Sequence, residues 1–236
     1  MLRWLRSSIA VVVVFAGSLI AANAVQAQVI NLNTGVDAGG NVIARGALDP
    51  FWKIAIGAGS QTSAMRGSLA NECCGMETVG PNSGWITDPS QDVGANSEFT
   101  SWGSDWTTAV RLSRTFDLTS YDLSTVALAG IWRVADNQTG FFLNGNLIVA
   151  GGPQSGFIEA NYGSNNAFSV GTGSAFFNQG LNTLEVVAYS GNSMWDGLYI
   201  DAAVTGAITT VPEPSTMVLV GSALFGLAVV RRRRRA

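Results

Sequence analysis

The sequence predicts an all-β fold, a two-sheet antiparallel sandwich with jelly-roll topology, on three observations. Apolar residues recur with period two, as when Leu198, Ile200, Ala202 and Val204 alternate with Tyr199, Asp201, Ala203 and Thr205, the pattern of a half-buried strand. Asn144-Gly145 divides two apolar runs, Phe141-Phe142-Leu143 and Asn146-Leu147-Ile148-Val149. A type I′ hairpin turn needs positive φ at both central residues, and Asn-Gly supplies it most readily. Finally, no interior stretch shows the 3.6-residue period of a major amphipathic helix.

The elements follow in order. Strands are expected near Val29 to Leu32, Trp52 to Ile56 and Val110 to Phe116. Val126, Leu128, Gly130 and Trp132 form one face of a further strand, with Arg133 and Asp136 marking its exit. The Asn144-Gly145 hairpin comes next, then Phe168 to Val170. Leu184, Val186 and Ala188 alternate with Glu185, Val187 and Tyr189, and the Leu198 to Thr205 strand closes the series. Gly57 to Gly84 shows no clean alternation and reads as an elaborated loop region. About eight short strands separated by Gly, Asn and Pro are what a packed pair of antiparallel sheets requires.

Arg114-Thr115-Phe116-Asp117-Leu118, Ala135-Asp136-Asn137, Phe142-Leu143-Asn144-Gly145 and Gly180-Leu181-Asn182-Thr183-Leu184 together resemble the galactose-binding-domain-like fold over about residues 80 to 207. The resemblance implies an Asp-Asn step leading into an Asn-Gly hairpin, and a Gly-x-Asn-x-Leu turn opening a late core strand. These are structural motifs and imply no activity.

Both ends of the chain read as sorting segments. At the start, Arg3 and Arg6 precede an apolar stretch from Ile9 to about Ile20 and the small-residue site Val25-Gln26-Ala27, the layout of a signal peptide cut by signal peptidase after Ala27. At the other end, Pro212-Glu213-Pro214-Ser215 is followed by the apolar run Thr216 to Val230 and by Arg231, Arg232, Arg233, Arg234 and Arg235. The two prolines fix φ and disfavour helix in the residue before each, so the box is expected to be extended. The run reads as a transmembrane sorting helix. As a helix its fifteen residues reach roughly 23 Å, short of the roughly 30 Å hydrocarbon core. The arginines stop transfer and stay cytoplasmic, which leaves the rest of the chain on the far side.

In that order, box, apolar run and basic cluster resemble the PEP-CTERM sorting signal of Gram-negative bacteria, over about residues 211 to 236. The resemblance implies recognition of Pro212, Glu213 and Pro214 by an exosortase, a membrane protease that removes the tail. The protein would then pass from an inner-membrane intermediate to the cell surface or an exopolysaccharide matrix.

Setting aside residues 1–27 and 212–236 leaves 184 residues, enough for one domain with a sizeable core. The thirteen basic residues of the chain fall to six, because Arg3, Arg6 and the five terminal arginines leave. The sixteen acidic residues lose only Glu213, so the domain carries a net charge of −9. With no basic patch, nucleic acid is not a partner this surface would attract.

The chain contains no His, which removes the commonest general base and metal ligand and excludes Ser-His-Asp and Cys-His machinery. Carboxylate pairs remain, Asp88 with Asp92 or Glu98 with Asp105, as in a glycoside hydrolase, but no spacing selects one over solvated loop acids. Cys73 and Cys74 are adjacent. They could form a strained vicinal disulfide, link two chains or stay as thiols, and without His they cannot complete a typical structural zinc site.

Trp85, Trp102, Trp106 and Trp195 lie in segments rich in Gly, Ser and Asp. Exposed, they would make a carbohydrate platform; buried, they would plug the ends of the sandwich. Trp52 and Trp132 fall on strand patterns and read as core. Asn33, Asp37 and Asn41, or Asp136 with Asn137, offer oxygen ligands for calcium, yet neither set has ordered calcium-loop spacing, and turn-forming Asx residues look the same. No metal or cofactor is assigned. The sequence therefore reads as a non-enzymatic exported β-sandwich protein sorted by its tail. A glycan-binding module using the tryptophans is the alternative, and a carboxylate hydrolase the more distant one.

Overall fold

The computed structural model describes residues 27–67, 81–89, 108–135, 137–152, 161, 163–189, 196–209 and 221. The apolar runs at the two ends apart from Gly221, the sorting box, the five arginines, Cys73, Cys74, Trp102, Trp106 and Trp195 lie outside them. Among the described residues, no helix is long and apolar enough to cross a membrane.

The compact unit Ala27–Ile208 is all-β. Its strands are β1 (Ala27–Asn31), β2 (Leu48–Ile56), β3 (Thr62–Arg66), β4 (Ile86–Thr87), β5 (Ala109–Asp117), β6 (Ala127–Ala135), β7 (Asn137–Leu143), β8 (Asn146–Ala150), β9 (Asn166–Val170), β10 (Leu181–Tyr189) and β11 (Gly197–Ala207), with a 3₁₀ turn at Leu123–Thr125 before β6. Every pairing is antiparallel. The order along the sheet is β8-β7-β10-β5-β2-β3-β4-β11-β6-β9, with β1 beside β11. The end strands β8 and β9 approach each other, so the sheet nearly closes.

The expected pair of separate sheets is thus a single hydrogen-bonded path whose two halves meet at β4. That strand is only two residues long: Ile86 pairs with Leu198 of β11, and both Ile86 and Thr87 pair with β3. So short a bridge has no readable period, which is why two sheets are what the sequence displays. β3 is a second correction, because it lies inside the stretch read as a loop. Its buried residues, Ala64 and Met65, are neighbours rather than alternate positions, so the period-two signal is lost.

Elsewhere the patterns and strands agree, except that Tyr199 of β11 and Val187 of β10, expected on the outward faces, are buried. In β11, Leu198, Ile200, Ala202 and Val204 are buried, while Asp201, Ala203 and Thr205 are not. Asn144 and Gly145 both have positive φ, 51° and 79°, as a type I′ turn demands. The core draws Trp52, Ile54, Val110, Leu112, Leu184 and Val186 from one half of the path and Leu128, Trp132, Phe168, Leu198, Ile200 and Val204 from the other. Phe141 links the halves, its ring 5.1 Å from Trp132 and 5.6 Å from Phe168 between centroids. Both core assignments for tryptophan hold: Trp52 is fully buried and Trp132 nearly so.

Candidate functional site

The most concentrated polar chemistry in the described residues is a buried cluster where β1, β2, β5 and β11 meet. It begins with Asp49-Pro50 in β2. Pro50 has no N–H, and the pairing of β2 with β3 slips between Leu48 and Lys53, which leaves the N–H groups of Phe51 and Trp52 without ladder partners there. Asp49 supplies them. Its Oδ1 accepts from Phe51 at 2.8 Å and from Trp52 at 2.9 Å, and its Oδ2 accepts from Gly35 at 2.7 Å.

Arg114, on β5, is the countercharge. It is 7% exposed, its Nη1 donates to the Asn33 carbonyl at 2.9 Å, and its guanidinium lies 4.4 Å from the Phe51 ring centroid. Burial pulls its pKa down to about 10, against the opposing pull of Asp49. Asn33 and Thr34 extend β1 along β11 with side-chain bonds: Asn33 Oδ1 accepts from Ala202 N–H at 2.8 Å, and Thr34 Oγ1 accepts from Ile200 N–H at 3.0 Å and donates to the Gly84 carbonyl at 2.7 Å. With three backbone donors on its carboxylate and no exposure, Asp49 is closed off from solvent and engaged with its own backbone. The cluster is a structural clasp.

A pocket of about 240 Å³ is lined by Ile54, Ile56, Gly59, Ser60, Thr62, Asp88 and Pro89. Its lining combines one buried carboxylate, Asp88, with two hydroxyl residues and two isoleucines. The carboxylates considered as partners for catalysis, Asp92, Glu98 and Asp105, lie outside the described residues.

The other candidates separate in space. Trp85 is 7% exposed, with its ring 5.9 Å from Tyr199, so that ring is packed against β11 and not presented to solvent. Asp37 and Asn41 form an exposed Asx turn. Asp37 Oδ1 accepts from Gly39 N–H at 2.8 Å and Asn41 N–H at 2.9 Å, and these bonds, led by that from Asn41, hold the Asp37 pKa below its usual value. Asn33 is buried and committed to β11 and Asn82, so the three do not form one oxygen cage. Asn137 falls on β7, and Asp136 lies outside the described residues. Among the described residues, no group of three His, Cys, Asp or Glu could hold a metal ion.

The assignment comes from the C-terminal segment, where the order of box, apolar run and arginines can be compared with known proteins. Residues 210–235 match the PEP-CTERM protein-sorting motif. The protein carries this sorting signal. The PEP-CTERM match includes Pro212, Glu213 and Pro214 and all five arginines, and it leaves the β-domain outside its bounds. No curated protein matches the chain. Among solved structures, the chain is similar to the GH31 alpha-xylosidase from Xanthomonas citri at 11% identity and a TM-score of 0.26, over 78% of this chain and 19% of that one. The chain spans under a fifth of that enzyme, and so low a score supports nothing about fold or chemistry.

The sequence reading overlooked the Asp49–Arg114 clasp. Its signal was present in two places: an Asp-Pro step inside an apolar strand, and an arginine on a strand between core residues Leu112 and Phe116.

Proposed function

We infer that this is an exported, non-enzymatic surface or matrix protein whose tail is recognised and removed by an exosortase. The PEP-CTERM match carries this reading. In this account residues 1–27 are a signal peptide removed by signal peptidase, residues 28–211 are a jelly-roll domain of galactose-binding-like topology, and residues 212–236 are the sorting tail. The apolar run Thr216 to Val230 pauses in the inner membrane, and Arg231 to Arg235 hold its end in the cytoplasm. The domain then reaches the cell surface or an exopolysaccharide matrix. The lack of any His and the full burial of Asp49 among backbone donors support a role without catalysis.

The experiment is replacement of Pro212 and Pro214 by Ala, followed by fractionation of the cells. The tailed form should accumulate in the membrane fraction. Unchanged processing of the doubly substituted chain would overturn the exosortase reading.

A further inference from the structure

Asn144-Gly145 is the only Asn-Gly step in the chain. The hairpin needs it for its two positive φ values, 51° and 79°, yet the same pair is open to a reaction with itself. The backbone nitrogen of Gly145 can attack Cγ of the Asn144 side chain, because glycine has no Cβ to crowd the approach. A five-membered succinimide ring closes through the new N–Cγ bond. The Cγ–Nδ2 bond breaks, and Nδ2 leaves as ammonia with the proton that Gly145 gives up. Water then opens the ring at either carbonyl, leaving aspartate or isoaspartate. The one further requirement is that the Asn144 side chain be free to turn its Cγ onto the next nitrogen.

The fold withholds that freedom. Asn144 Oδ1 accepts from Thr183 N–H at 2.8 Å, and its Nδ2 donates to Asn182 Oδ1 at 2.7 Å and to the Phe176 carbonyl at 2.8 Å. The amide is thus held from β10 and from the turn that precedes it. Asn182, 1% exposed, fixes both holds. Its Oδ1 also accepts from Asn178 N–H at 2.8 Å, and its Nδ2 donates to the carbonyls of Asn178 and Gly180 at 2.8 and 2.7 Å, which ties down the turn carrying the Phe176 carbonyl.

Solvent access is no part of this barrier. Gly145 is exposed, and among the described residues nothing lies within 4 Å of where a Cβ on it would stand. Water reaches the hairpin tip of the folded protein, so the fixed side chain is what stands in the way.

We propose that Asn144-Gly145 is a self-modification site masked by the fold, with Asn182 as the positioning residue that keeps it masked. When the corner between β7 and β10 opens, the step cyclises and hydrolyses, and the product cannot rebuild the corner. An aspartate at position 144 sets a carboxylate against the Phe176 carbonyl and Asn182 Oδ1, acceptor facing acceptor. Asn182 cannot turn its own amide over in answer, because its Nδ2 already serves two carbonyls. A local opening that would otherwise be reversible becomes a permanent loss. This holds whatever sorts the chain.

The test is peptide mapping by mass spectrometry of the full chain, purified in mild detergent and incubated in mildly alkaline buffer with and without unfolding urea. Conversion at Asn144, with isoaspartate among the products, should be at least about tenfold faster in urea, since three hydrogen bonds must otherwise open first. Equal rates in the two conditions would overturn the proposal, and so would an unfolded chain that stays unmodified at Asn144. That comparison needs no variant. Folded Asn182→Ala should convert at Asn144 several-fold faster than the folded parent, and a rate equal to the parent's would show that these bonds do not mask the site. Asn144→Asp should have a lower urea midpoint than the parent. An unchanged midpoint would overturn the permanence of the loss.

Discussion

The side-chain amide of Asn144 donates to the side-chain oxygen of Asn182 at 2.7 Å, which fastens the tip of the β7–β8 hairpin to the start of β10. The paired ladder of β7 and β10 stops at Leu143 opposite Leu184. Beyond it Asn144 continues the pairing, its N–H donating to the Thr183 carbonyl at 2.9 Å and its Oδ1 accepting from Thr183 N–H at 2.8 Å. Asn182, 1% exposed, also bonds Asn178 and Gly180.

Asn182→Ala is therefore expected to cost about 1–2 kcal/mol, because a buried amide is lost and its partly buried or exposed partners, Asn144, Asn178 and Gly180, lose their bonds to it together. Asn144→Gly keeps the positive φ and loses only the side-chain bonds, so about 2 kcal/mol is expected. Urea denaturation of the β-domain measures both. Losses under about 0.5 kcal/mol, the range of ordinary surface substitutions, would show the network to be dispensable.

Asp49→Ala should be among the most damaging single changes, at about 3–5 kcal/mol, since it strands the buried Arg114 charge and three backbone N–H groups. Removing Arg114 as well, as Asp49→Ala with Arg114→Met, should be less damaging than the two single losses added together. A double-mutant cycle by urea denaturation reads that coupling directly. Strict additivity would mean that the two groups act independently.

Gly130 is required for a packing reason. A Cβ on it would lie 2.3 Å from Ala202 Cβ and 2.5 Å from the Asp201 carbonyl oxygen, so β6 and β11 must shift to admit Ala. Gly130→Ala should cost about 1–3 kcal/mol. Adding Ala202→Gly should recover only part of it, because the clash with the Asp201 carbonyl remains. Full recovery in thermal denaturation would contradict this geometry.

Stability should fall in acid through two exposed aspartates. Hydrogen bonds from Asn41, led by its backbone N–H, lower the pKa of Asp37, and bonds from Thr119, led by its hydroxyl, lower that of Asp117. Each is depressed in the folded state below the usual 3.8, so each contributes stability that is present above that value and is lost as pH falls through the folded-state value. The urea midpoint should decline as pH falls below about 4, and more gently in Asp37→Asn with Asp117→Asn. Parallel profiles would exclude these two groups as the cause.

Much of this architecture was legible in the residues, for identifiable reasons. Strands with one buried face announce themselves over most of their length, as β11 and β10 do, although Tyr199 and Val187 on the other face are buried as well. The hairpin was legible because few dipeptides accept two positive φ values in succession. β3 and β4 were not, since adjacent buried residues and a two-residue bridge carry no period. The Asp49–Arg114 clasp joins positions far apart in the chain, and no local pattern announces that a lone aspartate will be buried within the electrostatic reach of a lone arginine. The sorting signal was the most legible feature, because its parts are consecutive and their order alone specifies it.

The most direct test of the account is the C-terminus of the protein recovered from outside the cell, determined by intact mass and terminal peptide mapping. The account predicts a chain that ends at or near Pro212 to Pro214, with Arg231 to Arg235 gone. Extracellular protein that still carries those arginines would contradict it.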